Sequence, residues 1–257
     1  MNKKLSRRNL FKASAGLAGT LLGGKALAQV CSSTTARQAL GPFFPNEGTP
    51  EIPVKEDNSP GLPIHLANDN DLTFVRGIGG HAQGQTVIIK GTVTDEDCHP
   101  LSNARIVIWQ ASHTGKYNHL RDGTDTRFQH PETGQWIERE LDPSFQFWGQ
   151  STSDANGEYA FKTIVPGFYP ADLRNRWYRP PHIHFMISAM GFPQLVTQMY
   201  FKGEDINNND FIQELNQKDY LLQDSSLSEE QRNNLVVEFT PNPEGTLEGT
   251  FNITMKR

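Results

Sequence analysis

The sequence lacks a long apolar run, so we expect no retained membrane anchor. Its most apolar N-terminal stretch, Ala13 to Leu22, is interrupted by glycine. It is also much shorter than the roughly 20 apolar residues of a membrane-spanning helix. Internal repeats and low-complexity tracts are absent as well. We therefore expect one domain with an attached arm.

The first 28 residues have the features of a twin-arginine export signal. Arg7 and Arg8 precede the apolar stretch, and the Ala-Leu-Ala sequence ending at Ala28 suits a signal peptidase, with Gln29 as the mature start. An ordinary amphipathic helix is the alternative. We expect a signal peptide over residues 1–28 and a periplasmic or secreted protein. Since this route carries folded proteins, it is also a hint of a cofactor inserted before export.

Basic residues are scarce in the chain that remains after this cleavage. The signal peptide contains six of the 24 Lys and Arg residues and none of the 29 Asp and Glu residues, which leaves a net charge of −11. This balance is not compatible with a basic patch for a phosphate backbone, so we exclude nucleic acid as a partner. Cysteine is scarce too, and Cys31 and Cys98 form either one disulfide or two separate thiols.

Helical periodicity is nearly absent, whereas short strand patterns recur between turns. Residues 29–84 are rich in Pro, Gly, Asn and Asp, so we interpret them as an N-terminal arm that wraps a core. Residues 85–257 contain helical patterns only at Asp210–Lys218 and, as a short turn, at Ser228–Asn233. The prediction is an all-β protein, a β-sandwich with a long N-terminal arm, extended loops and little helix. The seven predicted strands are Thr86–Val93, Ala104–Gln110, Glu158–Ile164, His182–Ser188, Gln194–Phe201, Leu235–Thr240 and Thr250–Met255.

The strongest sign of chemistry is a histidine pair, His182 and His184, within one predicted strand. Side chains two residues apart point to the same face, about 7 Å apart along the strand, so two imidazoles can converge on one metal ion. On a core face, each neutral histidine would need a hydrogen-bond partner. The motif contains no Asp or Glu for a two-histidine, one-carboxylate ferrous centre. Tyr117 and Tyr169 lie in loops that follow strands, where functional groups are common.

Several ordered motifs surround these residues and extend over residues 40–205. They are Gly41–Pro45, Gly91–Asp95, Ala104–Gln110, Gly115–Tyr117, Thr152–Ile164, Pro166–Tyr169, Arg179–Phe185 and Thr197–Phe201. In this order they resemble the intradiol ring-cleavage dioxygenases. The chain is more similar to the iron-binding (beta) subunit of protocatechuate 3,4-dioxygenase than to the catechol 1,2-dioxygenases.

The resemblance implies an enzyme that holds one mononuclear non-haem Fe(III). Such an enzyme cleaves a catechol-type ring between its two hydroxylated carbons with O2, and the product is a cis,cis-muconate-type diacid. Carried over by motif, the metal ligands are Tyr117, Tyr169, His182 and His184. A free phenol has a pKa of about 10, so it ligates well only where a hard, highly charged ion displaces its proton. Two phenolates also stabilise the ferric state over the ferrous state.

The resemblance implies further roles near the metal. Tyr169 would leave the ion as the diol binds and would take a substrate proton, while Arg179 would stabilise the negatively charged ring. Gln198 would orient the bound groups. Tyr178 is the alternative to Tyr169 as the second tyrosine ligand. A side chain of this size directly before the Arg-Pro pair departs from the family's pattern. The implied partners are a small aromatic diol and O2, and either a homo-oligomer or a hetero-oligomer with a homologous subunit fits the sequence.

Two other functions fit the same residues. A copper or other oxidase using the histidine pair predicts a different metal and no tyrosinate absorption. A secreted transthyretin-like β-sandwich that binds a ligand without catalysis predicts no metal, and ligand binding that survives His182→Ala. In that case Arg179 would form only a structural ion pair.

Overall fold

Strands dominate the fold. The computed structural model describes residues 33–45, 69–122, 125–202, 206 and 209–257. The strands in this part are β1 (Thr86–Thr94), β2 (Arg105–Gln110), β3 (Arg127–Gln129), β4 (Trp136–Glu138), β5 (Trp148–Thr152), β6 (Glu158–Ile164), β7 (Tyr169–Asp172), β8 (Trp177–Arg179), β9 (His182–Ser188), β10 (Leu195–Lys202), β11 (Val236–Pro241), β12 (Leu247–Thr250) and β13 (Ile253–Thr254). The helices are α1 (Asn209–Lys218) and α2 (Glu229–Leu235), with a 3-10 turn at Leu120–Asp122. The all-β prediction is confirmed, although the seven predicted strands were too few.

Nine strands form one continuous sheet. Its order is β13-β1-β12-β11-β10-β9-β2-β5, and β6 pairs with β1 outside this path. Strand β11 joins the two halves of the sheet, because Val236–Glu238 pair with β10 and Phe239–Pro241 pair with β12. The pairs of β1 with β12 and β13, and of β10 with β11, are parallel. The other pairs of this sheet are antiparallel.

The main core lies between the two halves of this sheet. Buried residues alternate along β1, where Val87, Ile89 and Val93 have no exposed surface, as the two-residue period of a strand requires. The rings of Phe161 on β6 and Phe185 on β9 meet edge to face, with 6.3 Å between their centroids. Burial of each large apolar side chain contributes about 1.5–3 kcal/mol to stability. The packing of β6 against β9 therefore holds the halves together.

Strand β9 lies between β2 and β10 and positions the candidate site. His184 is opposite Trp109 of β2 and Gln198 of β10. The neighbouring residues Ile183 and Phe185 point to the other face and belong to the main core. The face of β9 that carries the histidines is thus directed away from the main core, toward the loops that follow β2 and β6.

Two parts of the predicted arm are described, residues 33–45 and 69–84. The first part lies along β10, where the Gln38 N–H donates to the Val196 carbonyl at 2.9 Å. The second lies along β6, where the Leu72 N–H donates to the carbonyl of Lys162 at 2.8 Å. Residues 46–68 lie outside the described residues.

The predicted signal peptide over residues 1–28, with its cleavage site, also lies outside the described residues, as does Cys31. Cys98 is disulfide-bonded.

Both helical predictions are confirmed. Helix α1 begins one residue before the predicted start and ends at Lys218. Helix α2 is capped by Ser228, whose hydroxyl accepts from the N–H of Gln231 while the Gln231 side chain accepts from the N–H of Ser228. Within the described part of the chain, neither helix has the length and apolar composition that crossing a membrane requires.

Candidate metal centre

Two phenols and two imidazoles from three distant segments meet in one buried place. Tyr117, Tyr169, His182 and His184 are each at most 6% exposed. The Tyr117 hydroxyl lies 3.4 Å from His182 Nε2. The two phenol rings stand perpendicular with 5.6 Å between centroids, and the two imidazole centroids are 5.0 Å apart. The structure therefore brings together all four residues that the sequence predicted as ligands.

The imidazoles are oriented by their neighbours. His182 donates from Nδ1 to the carbonyl of Pro180 at 2.7 Å, which leaves Nε2 directed at the phenol of Tyr117. His184 stacks on Trp109, with ring centroids 4.8 Å apart and planes 9° from parallel. Within the described residues, His184 Nδ1 is buried without a hydrogen-bond partner. Gly41 of the arm lies against the same ring, because a Cβ there would be 3.1 Å from His184 Cε1.

Two glycines allow the tyrosine loops to approach each other. Gly115 has a φ of +77°, and a Cβ on it would collide with the carbonyl of Phe168. A Cβ on Gly167 would lie 2.5 Å from the carbonyl oxygen of His113. Gly115 requires glycine for its backbone conformation and its close contact, and Gly167 for its close contact alone, so these positions allow the loop of Tyr117 to lie against the segment that leads to Tyr169.

A buried ion pair holds the Tyr117 loop from the other side. Asp122 accepts from the backbone N–H of Tyr117 at 2.6 Å and from Arg139 Nη2 at 2.8 Å. The same Arg139 nitrogen donates to the carbonyl of Gly115 at 2.7 Å. Charged hydrogen bonds of this kind are stronger than neutral ones, so the loop is held at two points near the phenol.

The protonation of the four side chains suits a cation. Burial, and then the charge of Arg179, hold the pKa of His182 and of His184 well below the ordinary value, so both imidazoles are neutral and have a free lone pair. Burial raises the pKa of Tyr117 well above 10 and also raises that of Tyr169. Without a cation both phenols stay protonated, whereas a hard, highly charged ion between them would displace their protons. The donor set therefore fits a trivalent metal ion.

Arg179 and Gln198 lie beside this tetrad and contact each other. Arg179 Nη2 donates to Gln198 Oε1 at 2.6 Å, and Arg179 Nε donates to Asp219 Oδ2 at 2.6 Å. Burial acts to lower the pKa of Arg179, but Tyr169, Tyr200 and the carboxylate outweigh it and raise that pKa. The guanidinium therefore keeps its positive charge within a site that is closed to water.

The arm covers the tetrad with aromatic rings. Phe43 stacks on Tyr117 with 4.4 Å between centroids and stands edge-on to Tyr169 at 6.2 Å. Phe44 packs edge-on against Trp109 at 4.8 Å. Trp109 thus packs between Phe44 and the ring of His184.

Other candidate residues lie elsewhere or have additional contacts. Tyr178, the rival of Tyr169, packs between Phe128 and Phe168 and does not join the four donors. Tyr200 of strand β10 also has polar contacts near the site, because its hydroxyl lies 3.3 Å from Arg179 Nη2 and donates to Gln38 Oε1 at 3.2 Å.

Sequence reasoning also missed Asp219, the buried partner of Arg179. No periodic pattern marks a single aspartate after a helix. The available signal was indirect, since a buried arginine requires a carboxylate somewhere in the chain.

A second group of metal-ligating residue types lies in the turn after β1. Ligand atoms of Asp95, Asp97 and His99 are within 4.8 Å of one another. Asp95 Oδ1 already accepts from the backbone N–H groups of Asp97 and His99, at 3.0 and 2.9 Å. These side-chain-to-backbone hydrogen bonds stabilise the turn, and they explain why the three side chains lie close together.

Comparison with known proteins agrees with the sequence and the fold. A family model described as Dioxygenase matches residues 59–257. The beta chain of protocatechuate 3,4-dioxygenase from Burkholderia cepacia is 36% identical over 164 residues, which cover 61% of this chain and 64% of that protein. Catechol 1,2-dioxygenase 2 from Acinetobacter lwoffii is 31% identical over 150 residues, which cover 51% of this chain and 48% of that protein. The chain thus spans about half to two thirds of the length of these relatives.

Solved structures share the fold. The dioxygenase domain of a carbohydrate-binding fusion protein from Streptomyces sp. SirexAA-E has a TM-score of 0.54 at 22% identity, over 87% of this chain and 99% of that one. An intradiol ring-cleavage dioxygenase from Tetranychus urticae has a TM-score of 0.55 at 21% identity, over 87% of this chain and 94% of that one. Since the family model covers most of the sequence, the chain belongs to the intradiol ring-cleavage dioxygenase family, which uses non-haem iron.

Proposed function

We propose that this protein is a mononuclear non-haem Fe(III) dioxygenase that cleaves a catechol-type ring between its two hydroxylated carbons. Tyr117, Tyr169, His182 and His184 hold the ion. Both oxygen atoms of O2 enter the product, a cis,cis-muconate-type diacid, so that each hydroxylated carbon becomes a carboxyl carbon. The ferric ion would supply the Lewis acidity that binds the diol as its dianion and prepares it for O2.

One observation carries this proposal: two phenols and two neutral imidazoles converge without a carboxylate among them. The nearby buried carboxylates are already engaged, Asp122 with Arg139 and Asp219 with Arg179. Among the residues that the structure describes, no carboxylate is therefore available at this position for a two-histidine, one-carboxylate ferrous centre. Two anionic phenolates balance much of the charge of a trivalent ion and favour the ferric state.

The surrounding residues have roles that follow from their contacts. The Tyr169 phenolate would accept a proton from a substrate hydroxyl at Oη, because burial raises the pKa of this side chain and so makes its phenolate a stronger base than one in water. The Arg179 guanidinium lies beside both tyrosines and stabilises negative charge that develops on the ring. Gln198 is fixed by Arg179 at Oε1 and by the Ala39 carbonyl at Nε2, 3.2 Å away, and it orients the bound groups. Phe43 excludes water from the tetrad.

Metal analysis together with product analysis tests the function. The purified protein is expected to contain about one iron per chain and to absorb visible light through phenolate-to-iron(III) charge transfer. With catechol and O2 it is expected to form the muconate-type diacid. Copper without a tyrosinate band would favour the oxidase alternative. A colourless protein that takes up no ferric ion would favour the ligand-binding alternative. A semialdehyde product would place the cut outside the diol and contradict the reaction.

We also propose that the enzyme acts outside the cytoplasm, after twin-arginine export. Support comes from Arg7 and Arg8 ahead of the short apolar stretch. Replacing both arginines by lysine is expected to retain the protein in the cytoplasm, as fractionation would detect. A relative named as a beta chain makes a hetero-oligomer with a homologous subunit one candidate assembly and a homo-oligomer the other. Mass measurement of the purified protein separates them.

A further inference from the structure

We propose that Asp219 is a positioning residue that holds the Arg179 guanidinium in place for catalysis. This inference rests on the proposed function, since Arg179 must face a ring on which negative charge develops. Asp219 directly follows helix α1, 40 positions along the chain from Arg179. It therefore connects a segment outside the metal-binding motifs to the site.

The two oxygens of Asp219 have separate partners. Oδ2 accepts from Arg179 Nε at 2.6 Å, and the carboxylate has no exposed surface. Oδ1 accepts from the backbone N–H groups of Leu221 and Leu222, at 3.1 and 2.9 Å, and the Tyr200 hydroxyl lies 3.4 Å from it. The backbone hydrogen bonds fix the carboxylate, so the carboxylate in turn offers a rigid acceptor to the arginine.

Arg179 needs such an acceptor because its long side chain is otherwise flexible. Its Nη2 group donates to Gln198 Oε1 at 2.6 Å and lies 3.3 Å from the Tyr200 hydroxyl. The hydrogen bonds at Nε and at Nη2 act on different nitrogens, and together they define the plane of the guanidinium. Without the hydrogen bond to Asp219, the guanidinium is held only at Nη2 and can rotate about that point, so its position beside the tyrosines is no longer unique.

Asp219→Asn separates this role from a merely structural one. The asparagine oxygen can keep the two backbone N–H hydrogen bonds that stabilise the turn after α1. Its NH2 group then faces Arg179 Nε, so two donors oppose each other and the ion pair no longer forms. The control is Asp224→Asn, because Asp224 is also an aspartate that accepts a backbone N–H, from Ser226 at 2.8 Å, but is exposed and does not touch Arg179.

Steady-state kinetics of the iron-loaded enzyme give the first measurement. Misplacing a group that acts on the transition state costs on the order of 100-fold in rate. We expect kcat with catechol to fall about 10- to 100-fold in Asp219→Asn, with KM changed less than about 3-fold, and no change in Asp224→Asn. In the double variant Asp219→Asn/Arg179→Ala, kcat should equal that of Arg179→Ala within about 3-fold, because the proposed role of Asp219 is exerted through the arginine.

A second measurement does not depend on activity. The protein for this measurement is loaded with diamagnetic Ga(III), because paramagnetic Fe(III) would broaden nearby resonances. The Nε–H resonance of Arg179, assigned by its disappearance in Arg179→Ala, should be protected from solvent exchange in the wild-type protein. It should lose this protection in Asp219→Asn and keep it in Asp224→Asn. This readout remains informative if the variant is less stable, since it is taken on folded protein.

The outcomes are distinguishable. Wild-type kcat in Asp219→Asn, or losses that multiply in the double variant, would overturn the positioning role while leaving the proposed function intact. An unchanged Arg179 resonance would overturn it as well. A wild-type protein that contains iron but cleaves no catechol would instead refute the proposed function itself.

Discussion

Removing one hydroxyl group from Tyr117 separates metal binding from fold stability. Tyr117→Phe keeps the ring that stacks on Phe43 and deletes only the donor atom. In the metal-free chain this hydroxyl has a long contact of 3.4 Å with His182 Nε2, so its removal should change the free energy of unfolding by less than about 1 kcal/mol. Residues that merely support a metal ligand contribute roughly 10- to 100-fold to affinity, so loss of a direct ligand should weaken iron binding by at least about 100-fold.

A matched control is available in Tyr159, which is equally buried but lies in the main core. Its hydroxyl donates to the carbonyl of Phe251 at 2.6 Å. Tyr159→Phe leaves that buried carbonyl without its donor, so the free energy of unfolding should fall by about 1–3 kcal/mol while iron content and colour stay normal. The two substitutions therefore have opposite expected effects.

Denaturant unfolding of the metal-free variants, with iron content and visible absorption of the loaded ones, measures both effects. The reasoning is refuted if Tyr117→Phe binds iron as tightly as the wild type with the same absorption band. It is equally refuted if Tyr159→Phe loses iron while its stability is unchanged, since the donors would then have been assigned to the wrong phenol.

Three further predictions follow from the geometry of the site. Ferric ion uptake at pH 7 should release about two protons, because burial keeps the phenols of Tyr117 and Tyr169 protonated until the ion displaces their protons. Calorimetry in buffers of different ionisation enthalpy counts the released protons, and release of none would mean that neither phenol binds the ion. Gly115→Ala should lower the free energy of unfolding by about 3 kcal/mol or more and reduce iron content. Gly134→Ala is the control: its φ is similar, +68°, but an added Cβ would have no atom within 4 Å, so it should cost only about 1–2 kcal/mol. Equal losses of stability in thermal melts would show that close packing at Gly115 is unimportant. Phe43→Ala should raise KM for catechol more than it lowers kcat, since it opens the aromatic cover over Tyr117 without removing a donor atom. A fall in kcat alone would contradict the covering role.

The strands that could be predicted are those in which apolar and polar residues alternate over enough positions to be recognised in the sequence. Strands β6 and β9 match the predicted residues, β1 extends one residue further than predicted, and β10 is shifted by one residue at both ends. The hairpins β3–β4 and β7–β8 were missed because each strand has only three or four residues. Such strands contain too little periodicity to show in a sequence, and tertiary contacts determine them.

The four donors were predictable for a different reason. Each lies in a motif of fixed local form, such as the His182–His184 pair or the turn that ends at Tyr169, and the ordered set of motifs resembles one family. Asp219 belongs to no such motif. Its role arises only when the residue after α1 is placed against β8, and no local pattern in the chain indicates that pairing.

The arm has contacts at the candidate site that its composition did not indicate. Residues 33–45 were interpreted as a wrapping element because they have no periodicity, yet they supply part of the polar network around the candidate site. Gln38 accepts from the Tyr200 hydroxyl, and the Ala39 carbonyl accepts from the amide of Gln198. These hydrogen bonds determine which end of the Gln198 amide faces Arg179, since an amide whose NH2 group is held by the arm must present its oxygen to the guanidinium. A segment without regular structure thus sets the orientation of a side chain on the central sheet, because backbone carbonyls can fix a donor wherever the chain passes.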